Sequence, residues 1–184
     1  MKKPKSLKDR AIPLVILLVV IGLTATLFIF REKIAELGNL GYLGAFLISL
    51  ISNATIVMPM PGLLLIFALG ATFNPVLIGI IGGAGGALGE MTAYLAGYSG
   101  RGILKETKLH AQAERWMKKW GGLTIFAFAL TPFLLFDAAG IAAGTIRYPV
   151  WKFLIACWLG RTILYLVIAL AGAWGWETIL PYFS

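Results

Sequence analysis

Apolar residues fill most of residues 11 to 30, 41 to 73, 76 to 98 and 122 to 174, and the charged residues gather mainly in the short segments between them. The first stretch, AIPLVILLVVIGLTATLFIF, is uncharged and has the length one helix needs to cross ~30 Å of hydrocarbon. It follows a basic start, as a signal peptide would, but it is long for one. No small-x-small cleavage pattern precedes Arg31, so an uncleaved first transmembrane helix is expected. Residues 31 to 40 balance two cations against two anions and space Ile34, Leu37 and Leu40 helically, which predicts a short interfacial helix.

The second stretch is interrupted by Pro59-Met60-Pro61-Gly62 and closes at Asn74-Pro75. Prolines remove backbone donors and clash with the preceding turn, so no helix continues through them. The piece from Leu63 to Phe73 would be roughly 16 Å long as a helix, about half a bilayer. Residues 41 to 73 are therefore expected to form a re-entrant hairpin with Pro59, Pro61 and Gly62 at its tip. The stretch from 122 to 145 shows the same design, with Pro132, Gly140 and Gly144 as its breaks and hinges. Each hairpin is followed by an apolar run of spanning length, 76 to 98 and 150 to 174.

The resulting fold class is an all-α integral membrane protein. It is an inverted repeat of two opposed re-entrant helical hairpins, each followed by a transmembrane helix, with an N-terminal transmembrane helix in front. Residues 1 to 40 hold the basic N-terminus, first helix and interfacial segment, and residues 41 to 184 hold the membrane domain. Irregular backbone at membrane depth is tolerated only where protein or a water-filled space covers it, so a cavity is expected.

The repeat has a second signal. Gly89-Glu90-x-x-x-Tyr94-Leu95 matches Gly160-Arg161-x-x-x-Tyr165-Leu166 with opposite charge, and each copy runs on to a small pair, Ala96-Gly97 or Ala171-Gly172. Chance likeness between two glycine-rich helices is the competing explanation. Glycines at 79, 83, 82, 86, 85 and 89 repeat the small-x-x-x-small spacing of closely packed helices. A dinucleotide fingerprint is disfavoured, because Leu88 breaks it and no strand precedes it.

Composition sharpens this picture. The chain is 59% hydrophobic and 13% charged, with a mean hydropathy of +0.87, outside the range of soluble domains. Its formal charge of +8 lies wholly in two clusters, five cations against one anion at 1 to 10 and six against two at 101 to 120. Short basic segments flanking apolar runs mark the cytoplasmic side, not nucleic-acid binding. A multi-pass protein of the cell membrane with a cytoplasmic N-terminus is expected. Within the second cluster, Leu109, Ala113, Trp116 and Trp120 share one face of a basic helix suited to the headgroup region. Cys157 reads as a small buried hydrophobe and His110 as a surface residue, so no metal or cofactor is expected.

Three ionisable residues fall inside apolar segments: Glu90, Asp137 and Arg161. A charge in hydrocarbon is costly, and such groups pair or line a transport path. One reading is a salt-bridged set that locks the helices. The other is a polar site in which a carboxylate exchanges a proton and Arg161 holds an anionic headgroup. One arginine facing two carboxylates leaves a surplus negative charge, so one carboxyl is expected protonated for part of a cycle. No catalytic His, metal cluster or phosphate loop supports an enzyme, and none is expected.

The Pro-Gly break, the glycine-rich helix ending in Tyr94-x-x-Gly97 and Gly100-Arg101-Gly102, and the second hairpin leading through Ala143-Gly144 resemble the DedA family, also called the VTT or SNARE-associated Golgi protein superfamily. The likeness covers roughly 41 to 172. It implies movement of phospholipids or polyprenyl-phosphate carriers between leaflets, with membrane lipids and protons as partners and a homo-oligomer left open. Carried over by position, Pro61 and Gly62 match the first tip, Arg101 the base closing the glycine-rich helix and Gly144 the end of the second hairpin. Asn53 stands where the better-characterised branch has a glutamate, and Leu130 and Phe136 where it has arginines. The run Pro132, Asp137, Ala143-Gly144, Arg147, Gly160-Arg161 and Tyr165 looks closer to the YqaA-like branch.

The expected function is transport of an anionic lipid between leaflets, with Glu90, Asp137, Arg161, Asn53, Arg101 and Arg147 as the substrate path. A small-solute or ion transporter and a structural membrane-assembly protein are the alternatives.

Overall fold

A computed structural model of the chain describes Gly22 and residues 38–54, 60–99, 108–131 and 135–179. The expectations for most of 1 to 40, and for Pro59, Arg101 and Pro132, fall outside these residues. The helices are α1 (Asn39–Ala54), α2 (Met60–Gly70), α3 (Pro75–Gly89), α4 (Met91–Ser99), α5 (Lys108–Trp120), α6 (Gly122–Ala129), α7 (Leu135–Thr145) and α8 (Val150–Ile179), with no strand among the described residues.

The long helices start and stop where the sequence gives local reasons. Asn74 caps α3, its side-chain oxygen accepting from the N–H groups of Val76 at 2.9 Å and Leu77 at 3.3 Å, and Pro75 fills the first turn. At the end of α7, Arg147 N–H donates to Gly144 O at 3.0 Å and Tyr148 N–H to Ala143 O at 2.9 Å. This Schellman closure puts Arg147 at φ 55°, where glycine is usual. One apolar run was expected to span 76 to 98 as a single helix. It does: α3 and α4 meet at Glu90, whose αR geometry carries the hydrogen-bond ladder through, so Pro75–Ser99 is one helix of spanning length.

Glycine sets the core geometry. A Cβ at Gly79 would stand 2.9 Å from Leu166 Cα, and one at Gly83 2.8 Å from Thr162 Cα, so α3 and α8 run antiparallel almost backbone to backbone. Gly85 and Gly89 likewise admit the Phe46 and Leu50 carbonyls of α1.

Each pair of short helices folds back on itself. The start of α1 meets the end of α2, the Tyr42 and Phe73 rings lying 5.4 Å apart. The start of α6 meets the turn that follows α7, since a Cβ at Gly122 would lie 3.2 Å from Tyr148 Oη. The first pair leads into α3 and the second into α8. Because α3 and α8 are antiparallel, the two pairs open at opposite ends of the bundle.

The second helix of each pair crosses the long helix of the other. Gly70 abuts the Ala169 backbone and Gly172 the Phe67 carbonyl, while Gly144 abuts the Tyr94 carbonyl and Gly97 the Ile141 carbonyl. Both crossings place their contacts three residues apart on each helix. They equate Gly97 with Gly172, and hence Glu90 with Tyr165. The motif match of Glu90 to Arg161 is thus one turn out of structural register, since the second copy carries an extra turn before its small pair.

Candidate functional site

Glu90 holds the α3/α4 junction in αR geometry, its N–H donating to Gly86 O at 3.0 Å and its carbonyl accepting from Tyr94 N–H at 3.2 Å. The carboxylate therefore leaves the helix without interrupting its hydrogen bonding. Arg161, at the middle of α8, donates through Nη2 to Glu90 Oε1. Glu90 is 1% exposed and Arg161 4%. Two charges withdrawn this completely are tolerable only as a pair. Oε2 of Glu90 has no hydrogen-bond partner among the described residues.

One turn along α8, Tyr165 continues the polar strip. Asn53 of α1 donates through Nδ2 to Tyr165 Oη at 2.6 Å and to Ser49 O at 2.7 Å. Gly86 makes the room: a Cβ there would lie 3.3 Å from Tyr165 Oη and 3.4 Å from Asn53 Nδ2. The Oγ of buried Ser49 and Oγ1 of Thr162 are also unpartnered among the described residues. Each of these three oxygens can accept a further hydrogen bond.

Asp137 lies in the first turn of α7, half-buried, close enough for its charge to act on both Glu90 and Arg161. Glu90, Arg161 and Asn53 are thus drawn into one strip with Asp137 beside it. Arg147 stands apart, exposed, its guanidinium 5.2 Å from the Tyr98 ring. Pro61 lies within the first turn of α2, and Gly62 is buried against Ser52. Gly140 and Gly144 are buried where α7 crosses α4, acting through close approach of the backbones. Tyr165 and Ser49 were missed as site residues. Tyr165 was within the repeat motif, and Ser49 sits one turn before Asn53, where a shared face could have been read.

The Glu90 to Arg161 pair is sealed from the surface in this conformation. Two apolar surface grooves lie elsewhere, on either side of α6. The reason for the sealing is the glycine packing itself, which brings α1, α3 and α8 into contact around the strip.

The outside of the bundle identifies its surroundings. Two helices, Pro75–Ser99 counted as one and Val150–Gly175, are long and apolar enough to cross a membrane. On α8, Ile155, Ile163 and Val167 are 50%, 44% and 59% exposed. A soluble core helix would hide these side chains, whereas hydrocarbon accepts them. An all-helical bundle with an apolar exterior and a buried ion pair defines an α-helical membrane protein. Within that class, residues 60–174 match the VTT domain, well over half of the chain, and the protein belongs to this family. No curated protein and no solved structure matches the chain.

Proposed function

We propose that the chain is a multi-pass transporter of the cell membrane that moves an anionic lipid between leaflets, with Glu90, Arg161, Asn53 and Asp137 forming the transport site. The reading is of transport without covalent chemistry. The observation that carries it is the buried Glu90 to Arg161 pair where two oppositely opening hairpins meet. In the bilayer the two pairs, α1/α2 and α6/α7, are re-entrant hairpins of an inverted repeat, and the basic segments keep the N-terminus cytoplasmic. Discontinuous helices meeting near the midplane are the usual setting of such sites.

The sealed strip is the occluded state. Opening parts α2 from α8 or α7 from α4, freeing Arg161 for a phosphate while Glu90 takes up the compensating proton. An arginine suits this role because it stays charged and binds phosphate in a fork. The order of residues from Pro132 to Tyr165 favours the YqaA-like branch.

The test is reconstitution of the full chain into liposomes with a leaflet-accessibility assay on labelled phosphatidylglycerol, phosphatidylethanolamine and a polyprenyl phosphate. Faster movement of an anionic lipid than in protein-free vesicles supports the proposal. Rates equal to protein-free vesicles for all of them overturn it.

A further inference from the structure

The N-terminal half of α6 separates two apolar grooves. One, about 310 Å³, runs between α6 and α5 and is lined by Trp116, Trp120, Leu123, Thr124, Ala127 and Phe128. The other, about 440 Å³, runs between α6 and α8, with Phe126, Trp151, Lys152, Ile155 and Leu159 among its walls. Leu123 borders both, so it is the ridge between them. It is 57% exposed, and the flanking Trp116, Trp120 and Trp151 are 52%, 57% and 62% exposed.

A cation stands at each groove: Lys152 lines the second, and Lys119 lies beside Trp120, which lines the first. Lys119 Nζ lies 5.5 Å from the Trp120 ring and Lys152 Nζ 5.2 Å from the Trp151 ring. Arg115 and Lys118 are exposed on α5, whose sequence has one acid, Glu114. From Lys152 to Leu159 the second groove descends about 10 Å along α8. Tryptophan beside lysine marks the water interface, and the apolar walls lead from it toward the hydrocarbon.

We propose that one anionic diacyl phospholipid sits astride α6, an acyl chain in each groove and its phosphate between Lys119 and Lys152. Two grooves parted by a single ridge fit two chains on one headgroup, and the cationic rim selects an acidic headgroup over a zwitterionic one. The site rests on the membrane reading of the fold and is separate from the buried strip. It holds a lipid in the leaflet that the basic helix faces.

Tryptophan quenching tests it. The full chain, with Trp158, Trp174 and Trp176 replaced by phenylalanine, is placed in phosphatidylcholine bilayers. These contain phosphatidylglycerol or phosphatidylcholine brominated along the acyl chains. Brominated phosphatidylglycerol is expected to quench half-maximally at a mole fraction about fivefold lower than brominated phosphatidylcholine. Lys119→Gln with Lys152→Gln should abolish the difference, and the corresponding arginine variants should keep it. Ala127→Phe with Ala156→Phe, which fill the grooves and leave the lysines, should also abolish it.

Equal quenching by the two lipids in the starting protein overturns the proposal. So does a preference that survives filling of the grooves, since lysines would then only gather a diffuse anionic layer. Glu90→Gln should leave the preference intact, so failure of the transport reading and failure of this site are told apart.

Discussion

Arg161 and Glu90 close a buried ion pair between the middle of α8 and the junction of α3 with α4, leaving Oε2 of the glutamate unused. Removing one partner strands a charge in a low-dielectric interior. Arg161→Met or Glu90→Leu alone should lower stability by about 3–5 kcal/mol, and the two together by much less. Thermal unfolding of the purified protein in detergent, arranged as a double-mutant cycle, measures this. Additive losses would show that the partners do not sense each other.

The Asn53 to Tyr165 hydrogen bond at 2.6 Å ties α1 to α8. Tyr165→Phe should cost about 1 kcal/mol, because the Asn53 amide keeps its bond to Ser49 O. Asn53→Leu should cost more, about 1–3 kcal/mol, as it leaves the Tyr165 hydroxyl buried without that partner. Equal melting temperatures for the two variants would contradict this ranking.

The reciprocal crossings should be equally intolerant of a methyl group. Gly70→Ala, Gly172→Ala, Gly97→Ala and Gly144→Ala each drive a Cβ into backbone across the interface, with an expected cost of about 1–3 kcal/mol. Gly44, also helical, has nothing within 4 Å of such a Cβ. Gly44→Ala should be neutral or stabilise by about 0.5–1 kcal/mol. A melting series over these five variants checks the contrast, and destabilisation by Gly44→Ala would count against it.

Much of this arrangement was legible in the chain. Pro59 to Gly62 and the Asn74-Pro75 cap are local signals, and the two helix pairs follow from where a helix cannot continue. The meeting of Glu90 with Arg161 was legible because each charge is expensive alone. The register was not: sequence likeness aligned the charges, whereas packing aligned the small residues, which govern how closely two backbones approach. Asn53 had been singled out by family position, but its bond to Tyr165 depends on the opening left by Gly86, a feature of three helices at once. Arg147 read as a site residue because it follows the second hairpin. Its part in closing α7 in a left-handed turn is what places it outside the strip.

The central claim is that the buried pair works in transport and is more than a pin between helices. The most direct measurement follows anionic-lipid movement and thermal stability together for Glu90→Gln, at a temperature where the variant is still folded. The account predicts movement at least about tenfold slower than in the unaltered protein, the loss expected when a group acting within the transport cycle is removed. Movement at the unaltered rate, with only the melting temperature lowered, would contradict it and make Glu90 and Arg161 a structural lock.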